Sequence, residues 1–493
     1  MNPAIHNRLI GLGHDAGTPL TVSLVPPDTS PPAMTRPVQV VVSRILRLLP
    51  GKRLVGVASW RGQEVIVKLF YHRNRWSRHL QRETAGFALA ESSGLPVPEM
   101  LASGNIAGQR GGYLISEYLA NGTGLDTLVE SHDADLDISV SRALRLIARC
   151  HKQGLWQQDI HLGNFMAVKD TMYLLDSAEF KSETPGSLLS ESLRLTNLAL
   201  FFAQFSVYRD ARVGQLMEAY NQQLAESEMI DDFTNLQVLI RQSRERRLDK
   251  YQSKLFRATS AFHKEQSAGR RMLCNRKIMT DEFYRFINDP DAVLERGTIF
   301  KAGNTTTVGL VSVDGRDYVL KRYNIKNRSH AMRRMLRPSR ASKSWQSGLV
   351  LEMLGVTTAR PLMMLERRAW WVIRRESYIL YELVPGATVP EILQSETLTA
   401  ETKDRIFESF RQFFQVMRRY NISHGDLKAS NFIFANDELV LLDLDATTRH
   451  ALKATFRRAF RKDLERFVKN FSSDSGLNCM EGQALSLVKS FSE

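Results

Sequence analysis

The sequence predicts an α+β chain of two tandem bilobal domains, each a small β-rich lobe followed by a helical lobe, joined by a helical connector. Three observations carry this reading. The stretch His424-Gly425-Asp426-Leu427-Lys428-Ala429-Ser430-Asn431, with Leu441-Leu442-Asp443-Leu444-Asp445 after it, has an earlier counterpart in Gln157-Gln158-Asp159-Ile160-His161-Leu162-Gly163-Asn164, with Leu174-Leu175-Asp176. Asp159 and Asp426, Asn164 and Asn431, and Asp176 and Asp443 are each separated by 267 residues. A lone Asp-x4-Asn is common in surface turns, whereas three polar positions in one register are specific. Each set is also preceded by an apolar strand with one lysine, Val65-Ile66-Val67-Lys68 and Tyr318-Val319-Leu320-Lys321.

An Asp, an Asn five residues on and a second Asp after an apolar run is the pattern with which protein-kinase-like folds build a phosphoryl-transfer centre. In that pattern Asp426 and Asp159 accept the proton of the attacking hydroxyl. Asn431 and Asp443, and in the first copy Asn164 and Asp176, hold Mg²⁺ against the ATP phosphates. Lys321 and Lys68 contact those phosphates; a strand-edge lysine facing solvent is the plain alternative, and the position upstream of the Asp-Asn-Asp set argues against it. Lys428 can neutralise charge on the transferred phosphoryl group, and His161 stands in its place in the first copy. Glu83, in a helix predicted over 77–92, either pairs with Lys68 or lies on a solvated face. Aligning Gly94 with Gly355 puts the matching position at 344–346, where there is no Glu.

The small polar turn Gly303-Asn304-Thr305 lets backbone N–H groups approach phosphates, although it is not the GxGxxG of protein kinases. Strands ending at Glu117 and Glu382 stand where a kinase hinge meets adenine through its backbone. Asp463, and Asn197 in the first copy, either bond to the catalytic-loop backbone or lie on a helix surface.

The 493 residues are enough for two or three domains with real cores. Lys and Arg total 67 against 53 Asp and Glu, a net charge of +14 that favours anionic partners without choosing among nucleotides, nucleic acid, acidic glycans and an anionic membrane face. No basic strand interleaved with aromatics appears, which argues against nucleic acid. Cys150, Cys274 and Cys479 are scattered, which argues against a disulfide framework or a zinc site and suits a reducing cytosol. No membrane span and no secretory signal are expected.

In chain order, residues 1–37 read as a poorly structured, Pro-rich arm that can add an edge strand at 20–25. Residues 38–225 form the first domain. Within it, 38–49 reads as a helix-compatible apolar run, and 54–59 and 64–70 as a hairpin about Arg61-Gly62. A helix over 138–151 leads to Asp159. Residues 226–280 read as a helical connector whose Arg241, Arg244, Arg246, Arg247, Lys250, Lys254 and Arg257 form either a solvated face or a groove for an anionic acceptor. Residues 281–493 form the second domain, with strands at 298–302, 308–313 and 317–323. Its segment 326–343 holds Lys326, Arg328, Arg333, Arg334, Arg337, Arg340 and Lys343 without a carboxylate, which suits an anionic ligand. Ile406, Phe410, Phe413, Phe414 and Met417 form the apolar stripe of the helix before His424.

The motifs HGDLKASNF with LLDLD, QDIHLGNF with YLLD, the strand lysines and the segment KAGNTTTV…VLKRYNIKNRSHAMRRMLRPSRASKSW resemble the bacterial lipopolysaccharide core kinase family, the Kdo/WaaP and InaA-type relatives of eukaryotic protein kinases. The resemblance covers roughly 38–225 and 281–493. It implies ATP- and Mg²⁺-dependent phosphorylation of heptose or Kdo sugars of the lipopolysaccharide inner core, in the cytoplasm or peripherally at the inner face of the inner membrane. The oligomeric state is left open. A non-protein acceptor has physical support: Asp443 to Asp463 spans 20 residues and Asp176 to Asn197 spans 21, without Ala-Pro-Glu, leaving little room for a peptide-docking segment. Two rivals remain. One is a small-molecule phosphotransferase of the aminoglycoside or choline type. The other is a pseudokinase scaffold with one or both copies inactive.

Overall fold

The computed structural model describes residues 9, 12–13, 16–27, 36–131, 133–176, 180–324, 338–369, 373–471, 477 and 480–491. They fall into two compact units, 1–205 with 209–246, and 206–208 with 247–493.

The first unit opens with a six-stranded antiparallel sheet. Its strands are β1 (Leu20–Leu24), β2 (Val38–Leu49), β3 (Arg53–Trp60), β4 (Gln63–Phe70), β5 (Met100–Asn105) and β6 (Gly112–Glu117), in the order β1-β2-β3-β4-β6-β5. β1 is the edge strand expected near Leu20. Arg61 and Gly62, at φ 51° and 81°, turn β3 into β4, the left-handed pair that matches strand twist in a two-residue hairpin. Helix α1 (Trp76–Ser92) connects β4 to β5. Residues 38–49 are a strand and not the expected helix. Val40, Val42 and Leu48 are buried against the sheet, and the pairing with β3 shifts register at Val42/Arg44 and again at Ile45/Arg47. Those two irregularities break the alternation that marks a strand, leaving a spacing that imitates a helix.

The helical part contains α2 (Leu136–Lys152), α3 (Glu191–Phe202) and the start of α4 (Phe233–Gln252). Val140, Leu144, Ile147, Leu198, Phe201 and Tyr220 pack in its core. Arg244 on α4 fits neither reading of the basic connector. It is 2% exposed and bonds to the carboxylate of Asp210 at 2.8 and 3.0 Å and to the carbonyl of Phe205 at 3.2 Å. A buried guanidinium with its donors used this way fixes loop ends and is closed to a ligand.

The helical connector expected over 226–280 also ends early. After α4 come β7 (Phe262–Gln266) and β8 (Arg270–Asn275), which belong to the sheet of the second unit. Short strands rich in Lys and Arg read as a solvated helix until they find a sheet to pair with. That sheet also holds β9 (Thr298–Ala302), β10 (Thr306–Val313), β11 (Arg316–Tyr323), β12 (Pro361–Ala369) and β13 (Ile373–Glu382), in the order β7-β8-β12-β13-β11-β10-β9. β9 is an exposed edge strand with a bulge at Ile299/Lys301.

The two sheets share a five-strand pattern, β2-β3-β4-β6-β5 in one and β9-β10-β11-β13-β12 in the other. The register is also the same. Lys68 lies between Val55 and Leu114, and Lys321 between Val308 and Ile379. Three residues before each lysine, Val65 faces Glu117 and Tyr318 faces Glu382.

Helix α5 (Arg340–Met353) packs on the second sheet, and α6 (Ala400–Arg419) and α7 (Lys453–Lys469) build the helical core. Phe414 and Phe410 meet Phe467 edge to face at 5.1 and 4.8 Å, and Phe410 meets Phe432 at 5.0 Å. Such contacts add to the area buried, and Phe432 directly follows Asn431, so this core sets the height of the loop. Phe414→Ala is expected to destabilise the second unit by about 3–5 kcal/mol, read as an earlier transition in urea unfolding. A midpoint unchanged from the parent contradicts this packing role.

Candidate active site

In the second unit, α6 delivers the chain to a loop closed by a 3-10 turn at Ala429–Asn431. The Asn431 N–H donates to Lys428 O at 3.0 Å, its side-chain amide to Asp426 O at 3.0 Å, and Leu442 N–H to Asn431 O at 2.9 Å. These bonds tie Asp426, Asn431 and the approach to Asp443 together. In the first unit the turn is Leu162–Asn164, with Asn164 N–H to His161 O at 2.9 Å and Leu175 N–H to Asn164 O at 2.8 Å. Gly425 has φ 80°, and a Cβ there would stand 2.9 Å from the Ala446 side chain, so the bend needs glycine.

Asp463 is 3% exposed and accepts the backbone N–H of His424 at 2.6 Å and of Gly425 at 2.8 Å. It therefore bonds to the loop and does not lie on a helix surface. Asn197 does the matching work in the first unit, donating to Gln157 O at 2.7 Å, and its Oδ1 meets the buried His151 ring at 3.0 Å. Burial pushes the Asp463 carboxyl up to about 6, against the two N–H bonds and Arg466, which favour its charged form. Arg466, one helical turn on, donates to Asp426 Oδ1 at 2.6 Å and Gly425 O at 3.2 Å, and Lys428 lies 3.4 Å from Asp426 Oδ2. These groups are partly exposed, so the contacts orient the Asp426 carboxylate more than they stabilise the fold.

Lys321 reaches Asp443 at 3.0 Å and Asp445 at 2.9 Å. Burial opposes ionisation of Asp443, but the Lys321 ammonium and the Asp445 N–H outweigh it and hold the carboxyl below its usual range. Asp445 is buried and is the acceptor on which several elements converge. Arg340 donates to it at 2.7 Å, Ser344 Oγ at 2.8 Å, and Tyr323 through a short hydrogen bond. Burial, with Tyr381 and Asp445 alongside, drives the Tyr323 hydroxyl well above its ordinary range. In the first unit the strand lysine has a different partner: Lys68 pairs with Glu83 of α1, which is 1% exposed and also lies 3.7 Å from Arg53. Glu83 thus faces the lysine and not solvent.

The turn Gly303-Asn304-Thr305 is closed by Gly303 N–H to Thr306 O at 3.0 Å and braced by Asn324, whose amide donates to Gly303 O at 3.1 Å. Asn304 and Thr305 stay exposed, as do the side chains of Glu117 and Glu382. Asp159 is exposed, and Leu200 follows Asn197 at the spacing of Arg466 from Asp463. Of the basic segment, Lys326, Arg328, Arg333, Arg334 and Arg337 lie outside the described residues, Arg340 binds Asp445, and Lys343 is exposed. Asp445, Arg466 and Tyr323 carried no assigned role from sequence, and Arg340, read there as part of a basic segment for an anionic ligand, instead binds a carboxylate of the protein itself. Asp445 sits two residues past Asp443 and Arg466 one helical turn past Asp463, spacings that could have drawn attention to them.

Among the described residues no group of three His, Cys, Asp or Glu side chains could hold a metal. The Asn431 and Asp443 oxygens fit a hard cation that takes one or two protein ligands and fills its shell from phosphates and water.

Lys321 on its strand and Asp426, Asn431 and Asp443 on the loop are thus joined by a short chain of bonds. Residues 291–487 match the model of the Lipopolysaccharide kinase (Kdo/WaaP) family, and the second unit carries that domain. Among solved structures the chain is similar to WaaP in complex with acyl carrier protein, at 16% identity over 41% of this chain and 88% of that one, with TM-score 0.32. It is also similar to the M. tuberculosis PknI kinase domain, at 16% identity over 42% and 96%, with TM-score 0.27. No curated protein matches the chain. Among the described residues no helix is long and apolar enough to cross a membrane.

Asp463 gives a pH signature. Its folded value of about 6 lies above the 3.8 of a free carboxyl. The protein therefore binds this proton more readily when folded, and stability falls as pH rises through 6. Relative to Asp463→Asn, the parent is expected to lose roughly 2 kcal/mol of stability between pH 4 and 7. Urea unfolding of both proteins across that range measures it, and parallel pH curves exclude the assignment.

Proposed function

We propose that the chain is an ATP-dependent phosphotransferase that phosphorylates a sugar hydroxyl, heptose or Kdo, of the lipopolysaccharide inner core, with the second unit as its reaction centre. The observation that supports this most is the joining of Lys321, Asp443, Asn431 and Asp426 within the segment that matches the lipopolysaccharide kinase family.

On this reading Asp426 takes the acceptor hydroxyl proton, its carboxylate aimed by Arg466 and flanked by Lys428. Lys321 draws the nucleotide phosphates toward β11, with the 303–305 turn offering N–H groups above them. Asn431 and Asp443 would hold Mg²⁺. Bound Mg²⁺-ATP supplies the transferable phosphoryl group and neutralises its charge. Lys428 and Arg466 place cationic charge where a phosphorylated glycan approaches. The 20 residues from Asp443 to Asp463 already include the first part of α7, which starts at Lys453, and leave little room for a peptide platform, which favours a sugar acceptor. The exposed cations of α7, Lys453, Arg457, Arg458, Arg461 and Lys462, suit an acceptor carried at an anionic membrane face.

The first unit keeps Lys68 at the same place in the strand order and register, and its chain also carries Glu83, Asp159, Asn164 and Asp176. A second reading, in which this unit is a degenerate regulator, is favoured by one observation: His161 and Leu200 stand where Lys428 and Arg466 flank Asp426, so the acceptor side lacks those two cations.

Asp426→Ala is expected to lower phosphate transfer from ATP to isolated core oligosaccharide by about 10²–10⁴-fold. Transfer kept in that variant and in Asp159→Ala, but lost in the double, means that both units turn over. Unchanged transfer in the double variant overturns the enzyme reading. Preference for an aminoglycoside or choline over core sugars points to a small-molecule phosphotransferase.

A further inference from the structure

The two units hold their strand lysine by different carboxylates. In the first, Glu83 comes from the helix that follows the lysine strand. In the second, the corresponding helix α5 has Ser344 at that place, fully buried, and its hydroxyl donates to Asp445 at 2.8 Å. We propose that Asp445 is the positioning residue for Lys321, supplying from the loop after Asp443 the carboxylate that Glu83 supplies from a helix in the first unit. The inference rests on the reading of Lys321 as the lysine that meets the ATP phosphates.

The geometry separates this role from that of Asp443. Lys321 touches both carboxylates, but Asp443 is more exposed, 35% against 6% for Asp445, and is the one poised to turn toward a cation. Once Asp443 is engaged there, Asp445 is left to fix the ammonium. Its own orientation is over-determined. Arg340 and Ser344 of α5 and Tyr323 of β11 each donate to it. Arg340 also stacks over the Tyr323 ring at 4.9 Å and reaches Thr306 Oγ1, next to the 303–305 turn, at 3.3 Å. The polarity of the strand–helix link is thereby reversed. In the first unit the helix gives the anion. In the second it gives a cation and a hydroxyl, and the anion sits between helix and strand.

The test uses the full chain in a Lys68→Met background, so that the second unit reports. Mg²⁺-ATP binding is measured by calorimetry for Asp445→Ala, Lys321→Met, their combination, and Asp445→Ala with Ser344→Glu. The last variant moves the carboxylate from loop to helix, and the heavy atoms removed at 445 equal those added at 344. Asp445→Ala and Lys321→Met are each expected to weaken binding about tenfold, the value of one lost charge-assisted contact. Their combination should lose no more than either alone, and the relocated carboxylate should restore most of the affinity. Melting curves accompany each variant, and Asp445→Asn, which keeps the shape, replaces Asp445→Ala if that protein does not fold. Parent-like binding after loss of the 445 carboxylate, or losses that multiply in the combined variant, overturns the role of Asp445 while leaving the kinase reading in place. A parent that binds no Mg²⁺-ATP overturns both.

Discussion

The second unit depends on one buried acceptor. Asp463 takes two successive backbone N–H groups at the point where the chain leaves α6 and bends through Gly425. A bend of this kind leaves amides that no helix or sheet can satisfy, and a buried amide without a partner is costly. One carboxylate satisfies both, and Asp426 is aimed as a result. The first unit holds its loop from the matching helix position with a neutral side chain, which donates to a loop carbonyl where Asp463 accepts two amides. Asn197 reaches the Gln157 carbonyl and leans on His151, which burial lowers to about 4 and so keeps uncharged. A charged clamp holds one loop and a neutral hydrogen-bonded chain the other, at equivalent places in the two units.

The same substitution of means recurs at the lysine. A cation in a largely apolar sheet needs a fixed counter-charge, because burying it alone is unfavourable. The Glu83 and Asp445 arrangements both meet that need, but they bind different parts of the fold. Glu83 ties its helix to the lysine strand and to Arg53 of β3. Asp445 also ties the strand to the residues that follow Asp443, so the lysine, the loop and the start of α5 are held by one set of bonds.

Much of this was legible in the sequence. The shared spacing locates both loops and the strand lysines, and it leaves the pairing of Glu83 and the backbone bonds of Asp463 as open alternatives that the fold resolves. What could not be read depends on tertiary pairing. Residues 38–49 are a strand because β1 and β3 flank them, and their two register shifts erase the alternation that local pattern needs. Residues 262–275 carry too many charges to announce strands, and only the edge at β12 gives them a place. Arg244 looked like one more cation on a basic helix, yet its guanidinium closes a buried turn. Asp445 stood in plain view beside Asp443. Its importance comes from Tyr323, Arg340 and Ser344, which lie far from it in sequence and meet it only in the fold.

The bulge at Ile299/Lys301 has a further effect. β9 is an outermost strand with every side chain exposed, Phe300 at 58% and Ile299 at 41% among them. A flat strand of this composition invites another chain to pair along it. The register break twists its backbone and Lys301 places a charge beside Phe300, two devices by which sheet edges resist such pairing. The strand that leads into the 303–305 turn is thus kept from being captured as part of a larger sheet, and the turn stays open to solvent and to whatever small anion arrives there.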